Sequence, residues 1–357
     1  MADDALFQEN ERTAPTTEGR QIVSIGDLPL RCGQTLPGVE VAYQTFGRFT
    51  GDNAVLICHA LSGDANCAGW WERIIGSGRA IDTDRYFVVG TNALGGCQGT
   101  TGPASLHPDG RPWGSRFPQV TVEDMVRAQE AVRAHLGVDR WALVAGGSMG
   151  GMQALEWARQ FPERVERVWM TASAARHSAM QIGFNEAARQ AIRRDPAFRG
   201  GDYTPEAPSS GGLAVARMIG HLSYLSEAAF EAKFGREQRD DGVFQVASYL
   251  AYQGEKFTQR FDANSLLVLS QAIDDYDPAG FAGVAARFLL TSFTSDWLYP
   301  SWQSAALAKE LREAGVAAEW HEIDLPYGHD AFLLDSEEQG ALVRSFMSRA
   351  LEVADHA

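Results

Sequence analysis

The hydrophobic segment Trp141–Gly146 (WALVAG) runs directly into Gly146-Gly147-Ser148-Met149-Gly150-Gly151 and then into MQALEWARQF, whose apolar residues recur at helical spacing. Few features constrain a chain so tightly. A strand that becomes a helix within a few residues needs backbone free of Cβ clashes, and glycines stand on both sides of Ser148. The G-x-S-x-G pattern on such a turn lifts its serine out of the strand end, where the hydroxyl is available as a nucleophile. The same residues could also form a plain glycine-rich turn opening a helix, so the rest of the chain has to decide.

The flanking chain favours a sheet. Short runs rich in Val, Ile, Leu and aromatics recur at Ala54–Ala60, Tyr86–Leu94, Trp141–Gly146, Val165–Ala172, Arg287–Phe293 and Ala318–Ile323. Helical patterns lie between them, at Val120–Leu136 with a Thr121/Asp124 start signal and at Met149–Gln160. Such alternation predicts an α/β fold, a mostly parallel sheet with helices on both faces. The strand rhythm stops over residues 174–283, where Gly183–Arg194, Gly212–Leu225, Glu227–Phe234 and Phe244–Ala251 read as helices, and it resumes after Asp277-Pro278-Ala279-Gly280. The expected organisation is therefore a core in two parts, 1–173 and 284–357, with a helical lid inserted at 174–283. Residues 1 to about 20 are expected to be frayed, and a last helix is expected over Ser336–Val353.

Composition narrows the function. The formal net charge of −15 argues against a generic nucleic-acid or anionic-membrane surface. An anionic substrate would then need a local basic pocket. No apolar run approaches the ~20 residues of a bilayer span, and the acidic, polar N-terminus lacks signal-peptide character, so a cytoplasmic protein is expected. The four cysteines (Cys32, Cys58, Cys67, Cys97) have neither CxxC spacing nor disulfide density; they read as small hydrophobes in or near the core, with no metal site.

A nucleophilic serine needs a base and a group to orient it. On this type of turn they follow in the order Ser, acid, His. Asp296 comes directly after the strand RFLLTSF, and His329 after AEWHEI, so both fall at strand ends with Ser148. Asp324, five positions before His329 on the same loop, is the weaker competitor for the acid, and His321 lies inside its strand as a structural residue. For the oxyanion, the expected donors are the backbone N–H of Met149 and, from the loop after the first strand, that of Leu61. His59 reads as a helper of that loop.

The chain resembles the homoserine O-acyltransferases of the α/β-hydrolase superfamily. The resemblance spans nearly everything after residue 37 and rests on HALSGD (59–64), GWW (69–71), IDTDRYFVVGTNALGGCQGTTGPAS (81–105), WGSRFP (113–118), GGSMGGMQALEW (146–157), SYLAYQGEKFTQRFDANS (248–265), TSDWLYP (294–300) and YGHDAF (327–332). It implies the roles already read for Ser148, Asp296 and His329, and it adds Arg217 for the homoserine carboxylate and Asp330 for its ammonium. A zwitterion entering a dry pocket needs an opposite charge at each end. The implied reaction is ping-pong, with an acyl-CoA as co-substrate, no cofactor and a homodimer formed through the lid.

Succinyl-using members tend to carry arginine directly after the Asp-Trp of the acid loop. Here that position is Leu298, which favours acetyl-CoA as donor. Succinyl-CoA as donor, serine as acceptor and a water-using esterase or thioesterase are the alternatives.

Overall fold

A computed structural model describes residues 19–349 except Pro205, Asp335 and Ser336. Eight strands form one sheet: β1 Gln21–Pro29, β2 Thr35–Phe46, β3 Ala54–Cys58, β4 Phe87–Thr91, β5 Leu143–Gly147, β6 Arg167–Thr171, β7 Arg287–Phe293 and β8 Ala318–Ile323. Their spatial order is β1-β2-β4-β3-β5-β6-β7-β8. β1 and β2 form an antiparallel ribbon whose second strand pairs antiparallel with β4; all later pairings are parallel. The six expected strands are present with ends shifted by up to three residues.

The continuous apolar runs have a geometric cause. Side chains alternate across a strand, so both faces must be covered when every residue is apolar. Along β5, Leu143 and Ala145 enter one hydrophobic cluster and Val144 the other. Helices α1 Val122–His135 and α2 Met149–Gln160 supply Met125, Val126, Met152 and Leu155 to the face of Val144. On the opposite face, α9 Glu338–Ser348 places Val343 and Phe346 beside Trp71 and Phe332. α1 begins at the expected signal: the Thr121 hydroxyl accepts from the Asp124 N–H, and the Asp124 carboxylate accepts from the Thr121 N–H at 2.9 Å.

Between β6 and β7 the chain forms α3 Ala179–Arg193, α4 Gly211–Tyr224, α5 Glu227–Phe234, α6 Gln245–Thr258 and α7 Ala263–Asp274. α6 runs a full two turns beyond the expected Ala251, which carries Lys256 and Phe257 onto it. α8, Ser301–Glu313, follows β7 and had no counterpart in the sequence reading. The last helix is shorter than the expected Ser336–Val353; Ser336 and residues 350–353 of that expectation, like residues 1–18 of the expected frayed start, lie outside the described residues. All four cysteines are free; Cys58 and Cys67 are buried and Cys97 half-buried, whereas Cys32 is exposed, so it is not a core residue. Among the described residues no helix is long and apolar enough to cross a membrane.

Candidate active site

Ser148 sits between β5 and α2 with φ 55° and ψ −125°, a conformation L-residues seldom adopt. The surrounding backbone holds it there. Its N–H lies 3.2 Å from both the Thr171 and Ala172 carbonyls, and its own carbonyl accepts from the Ser173 hydroxyl at 2.7 Å. Ala172, at the end of the neighbouring strand, also has positive φ (45°), so two strained residues meet at this sheet edge. A Cβ on Gly150 would collide with the Cys58 carbonyl, which explains the glycine after the serine. Met149 opens α2, so its N–H has no acceptor within the helix.

His329 and Asp296 come from the loops after β8 and β7. The His329 Nδ1 donates to Asp296 Oδ2 at 2.8 Å, and both side chains are almost completely buried. Asp296 Oδ1 accepts the backbone N–H groups of Leu298 (3.0 Å) and Tyr299 (2.8 Å). With both oxygens engaged, the carboxylate fixes the imidazole with Nε2 as its free acceptor. The competing acid points elsewhere: Asp324 accepts from the Thr294 hydroxyl at 2.7 Å. His59 ties its own loop to the sheet, accepting from the Ala93 N–H at Nε2 (2.9 Å) with Nδ1 2.7 Å from the Ala60 carbonyl.

Ser148 and His329 line an open cavity together with Leu61, Arg217 and Asp330. Arg217 lies over the Phe257 ring at 4.7 Å and near that of Tyr224 at 5.6 Å, which leaves its guanidinium oriented by two aromatic faces. Lys233, Lys256 and Arg260 add three more cations to the lining. A basic pocket within a chain of net charge −15 is what an anionic ligand requires. Tyr249 registers the two charges of interest. Burial, then the Asp330 carboxylate, push its phenol up to about 12, against the opposing pull of Arg217. Among the described residues no group of three or more His, Cys, Asp or Glu side chains is arranged to hold a metal ion.

A second cavity opens on another side of Ser148. Leu61 and Tyr224 belong to both cavities, and Leu298, which is buried, lines only the second. The sequence reading named Leu298 for a role in acyl-donor choice; its placement in a separate chamber, together with Tyr299 and His177, was not anticipated. Tyr299 stood in the quoted TSDWLYP motif, and Lys256, Arg260 and Tyr249 in SYLAYQGEKFTQRFDANS, so their signal was present without an assignment. His177 lies in neither, and nothing local marks it.

This sheet, elbow and strand-end pair define an α/β-hydrolase-type enzyme core, and the α/β-hydrolase fold family matches residues 53–336. The crystal structure of homoserine O-acetyltransferase from Bacillus anthracis superposes with a TM-score of 0.87 at 27% identity, covering 92% of this chain and 97% of that one. Sequence relatives include a homoserine O-succinyltransferase of Bordetella pertussis, 48% identical across 90% of this chain and 86% of its own, and a homoserine O-acetyltransferase of Leptospira biflexa, 45% identical across 92% and 93%. The chain belongs to the homoserine O-acyltransferase family.

Proposed function

We propose that the protein transfers an acetyl group from acetyl-CoA to the hydroxyl of L-homoserine through an acyl-Ser148 intermediate, a step of methionine biosynthesis. One observation carries this reading. The cavity that holds Ser148 and His329 also presents Arg217 and Asp330, a cation and an anion suited to the two ends of an amino acid.

In the first half-reaction His329 takes the Ser148 proton as Oγ attacks the thioester carbon. The developing oxyanion is met by the N–H groups of Leu61 and Met149, a kind of donor worth about 2.7–4 kcal/mol each. Collapse breaks the C–S bond, and the CoA thiolate leaves with the proton from His329. In the second half-reaction His329 deprotonates the homoserine hydroxyl, its oxygen attacks the acyl carbon, and the proton returns to Ser148 as the ester departs. Asp296 stabilises the imidazolium formed in each half. The chemistry is complete with side chains and two substrates, without a cofactor.

Donor identity rests on Leu298. Relatives named for acetyl and for succinyl transfer lie at similar identity, so membership of the family leaves the choice open. Among the described residues no Lys or Arg lines the second cavity, which Leu298 helps to enclose, so a distal carboxylate entering it would lose its hydration without gaining a cation. In this reading helices α3–α7 act as the lid that limits water, and the exposed Val215, Leu222 and Tyr252 on α4 and α6 are the apolar face through which two copies pair in the cytoplasm. The decisive measurement compares rates for acetyl-CoA and succinyl-CoA with homoserine and serine, following thiol release. Release that needs homoserine and favours acetyl-CoA supports the reading; release at the same rate without an amino acid makes the protein a thioesterase.

A further inference from the structure

The second cavity contains a buried polar chain that the reaction above does not use. Tyr299 is 3% exposed and lines this cavity together with Ser148, whose side chain pulls the phenol down against the larger upward push of burial. Its hydroxyl lies 2.6 Å from His177 Nε2, while His177 Nδ1 lies 2.7 Å from Asp274 Oδ1. Asp274 also accepts from Asn185 Nδ2 at 2.7 Å and Arg189 Nη1 at 2.6 Å. Burial pushes the Asp274 carboxyl up, and the hydrogen bonds from His177, Asn185 and Arg189 outweigh it, leaving the group below its ordinary value. The carboxylate is thus ionised and an acceptor only, so His177 Nδ1 carries a hydrogen. With that hydrogen on Nδ1, the ring offers Nε2 to the Tyr299 hydroxyl as an acceptor. Burial pushes the Tyr299 phenol up, so it keeps its proton for His177. The phenol oxygen is then left as an acceptor on the side of the cavity shared with Ser148.

The same tyrosine touches the other two groups at the strand ends. Its backbone N–H donates to Asp296, and its ring stacks on the His329 imidazole with centroids 4.9 Å apart and 19° between planes.

We infer that Tyr299 is a positioning residue whose hydroxyl, oriented through His177 by Asp274, sets the direction of the Ser148 hydroxyl before acylation. The inference rests on Ser148 being the nucleophile of the proposed function, but not on which donor or acceptor is used. In the resting enzyme the serine proton is held towards Tyr299; on donor binding it turns to His329, and Oγ starts from one fixed rotamer rather than several. His177 acts only through Tyr299, over a path of two hydrogen bonds.

The test reads the acylation burst with p-nitrophenyl acetate, which reports Ser148 whatever the natural substrates are, alongside steady-state transfer. Tyr299→Phe retains the stacking ring and the backbone N–H and removes only the hydroxyl. It is expected to slow the burst about tenfold with KM within twofold of wild type and thermal midpoint within a few degrees. His177→Leu should slow it to a similar extent, and the double variant should be no slower than the slower single, as two members of one chain require. His177→Gln can accept from the phenol with one amide atom and donate to Asp274 with the other, so it should restore at least half of the rate; should His177→Leu fail to fold, the Gln variant alone and combined with Tyr299→Phe carries the comparison. A loss below threefold in Tyr299→Phe, or losses that multiply in the double variant, would overturn the inference. Normal bursts combined with no homoserine-dependent transfer in the wild-type protein would instead count against the proposed function and leave this test readable.

Discussion

The two halves of the site are built on different principles. Ser148, Asp296 and His329 follow the ends of β5, β7 and β8 and are tied to the loops and strands there: the Ser148 N–H faces two backbone carbonyls, Asp296 holds two backbone N–H groups, and His329 is held by Asp296. Arg217, Lys256 and Arg260 belong to α4, α6 and the turn after it, and they are held by aromatic faces and hydroxyl or carbonyl contacts, such as Arg217 on Phe257 and Arg260 Nη1 donating to the Ser62 carbonyl at 2.9 Å. Backbone-fixed groups cannot drift without unmaking the sheet. Groups on helices can be exchanged while the sheet persists. In the proposed reading the bond-making step belongs to the sheet and the grip on the amino-acid carboxylate to the helices, while Leu298 and Asp330 bring substrate recognition onto the strand-end loops themselves.

The largest effect should come from the sheet half. Ser148→Ala removes the nucleophile and one small hydroxyl, so acyl transfer should vanish while the melting curve stays close to wild type; more than a few per cent residual activity would break the division of labour. Asp296→Asn comes next. The amide favours the wrong imidazole tautomer, and turnover should fall by about 10⁴. Asp324→Asn, whose carboxylate serves Thr294, should leave turnover within a few-fold, and the opposite ranking would show that the wrong acid has been named.

At the substrate-facing positions, Arg217 on a helix and Leu298 on the loop of Asp296, effects should appear in one substrate at a time. Arg217→Ala should leave acylation by acetyl-CoA nearly intact and weaken homoserine by about 2–5 kcal/mol in kcat/KM, because a carboxylate in a dry pocket loses its partner. An unchanged homoserine dependence would make Arg217 a plain helix residue. The smallest expected change belongs to Leu298→Arg: slower acetyl transfer and a rise in succinyl transfer from a very low start, measured as the ratio of the two rates. Equal use of succinyl-CoA by the unmodified protein would move the choice of donor away from position 298.

The same contrast explains what could be seen in the sequence. The buried parallel strands announce themselves because both of their faces are covered, as Val144 and Leu143 illustrate. β1 escaped notice because much of it is exposed: in QIVSIGDLP only Val23 is buried, and the antiparallel pairing with β2 shifts register at Ser24 and Gly26, which breaks the alternation a reader would look for. Ser148, Asp296 and His329 were legible because each ends a strand, so local pattern and position coincide. The chain from Asp274 through His177 to Tyr299 was not, since it joins the end of a helix, the start of another and a loop more than 120 residues beyond, and no spacing rule links them. Side-chain networks of this kind exist only once tertiary packing has chosen their members.

Residues 224–226, the short joint between α4 and α5, connect the two halves. The Leu225 carbonyl accepts from Trp297 Nε1 at 3.0 Å, next to the acid, and the Ser226 hydroxyl donates to the Pro326 carbonyl on the histidine loop. Gly328, with φ 73°, lies so close to this joint that a Cβ would strike the Ser226 nitrogen and the Leu225 carbonyl carbon. The joint is therefore not a neutral place to cut and splice. A chimaera that takes its helices from a relative has to inherit positions 224–226, 297 and 326–328 as one cassette, because exchanging the helices alone would leave the ends of two loops seated against a foreign surface.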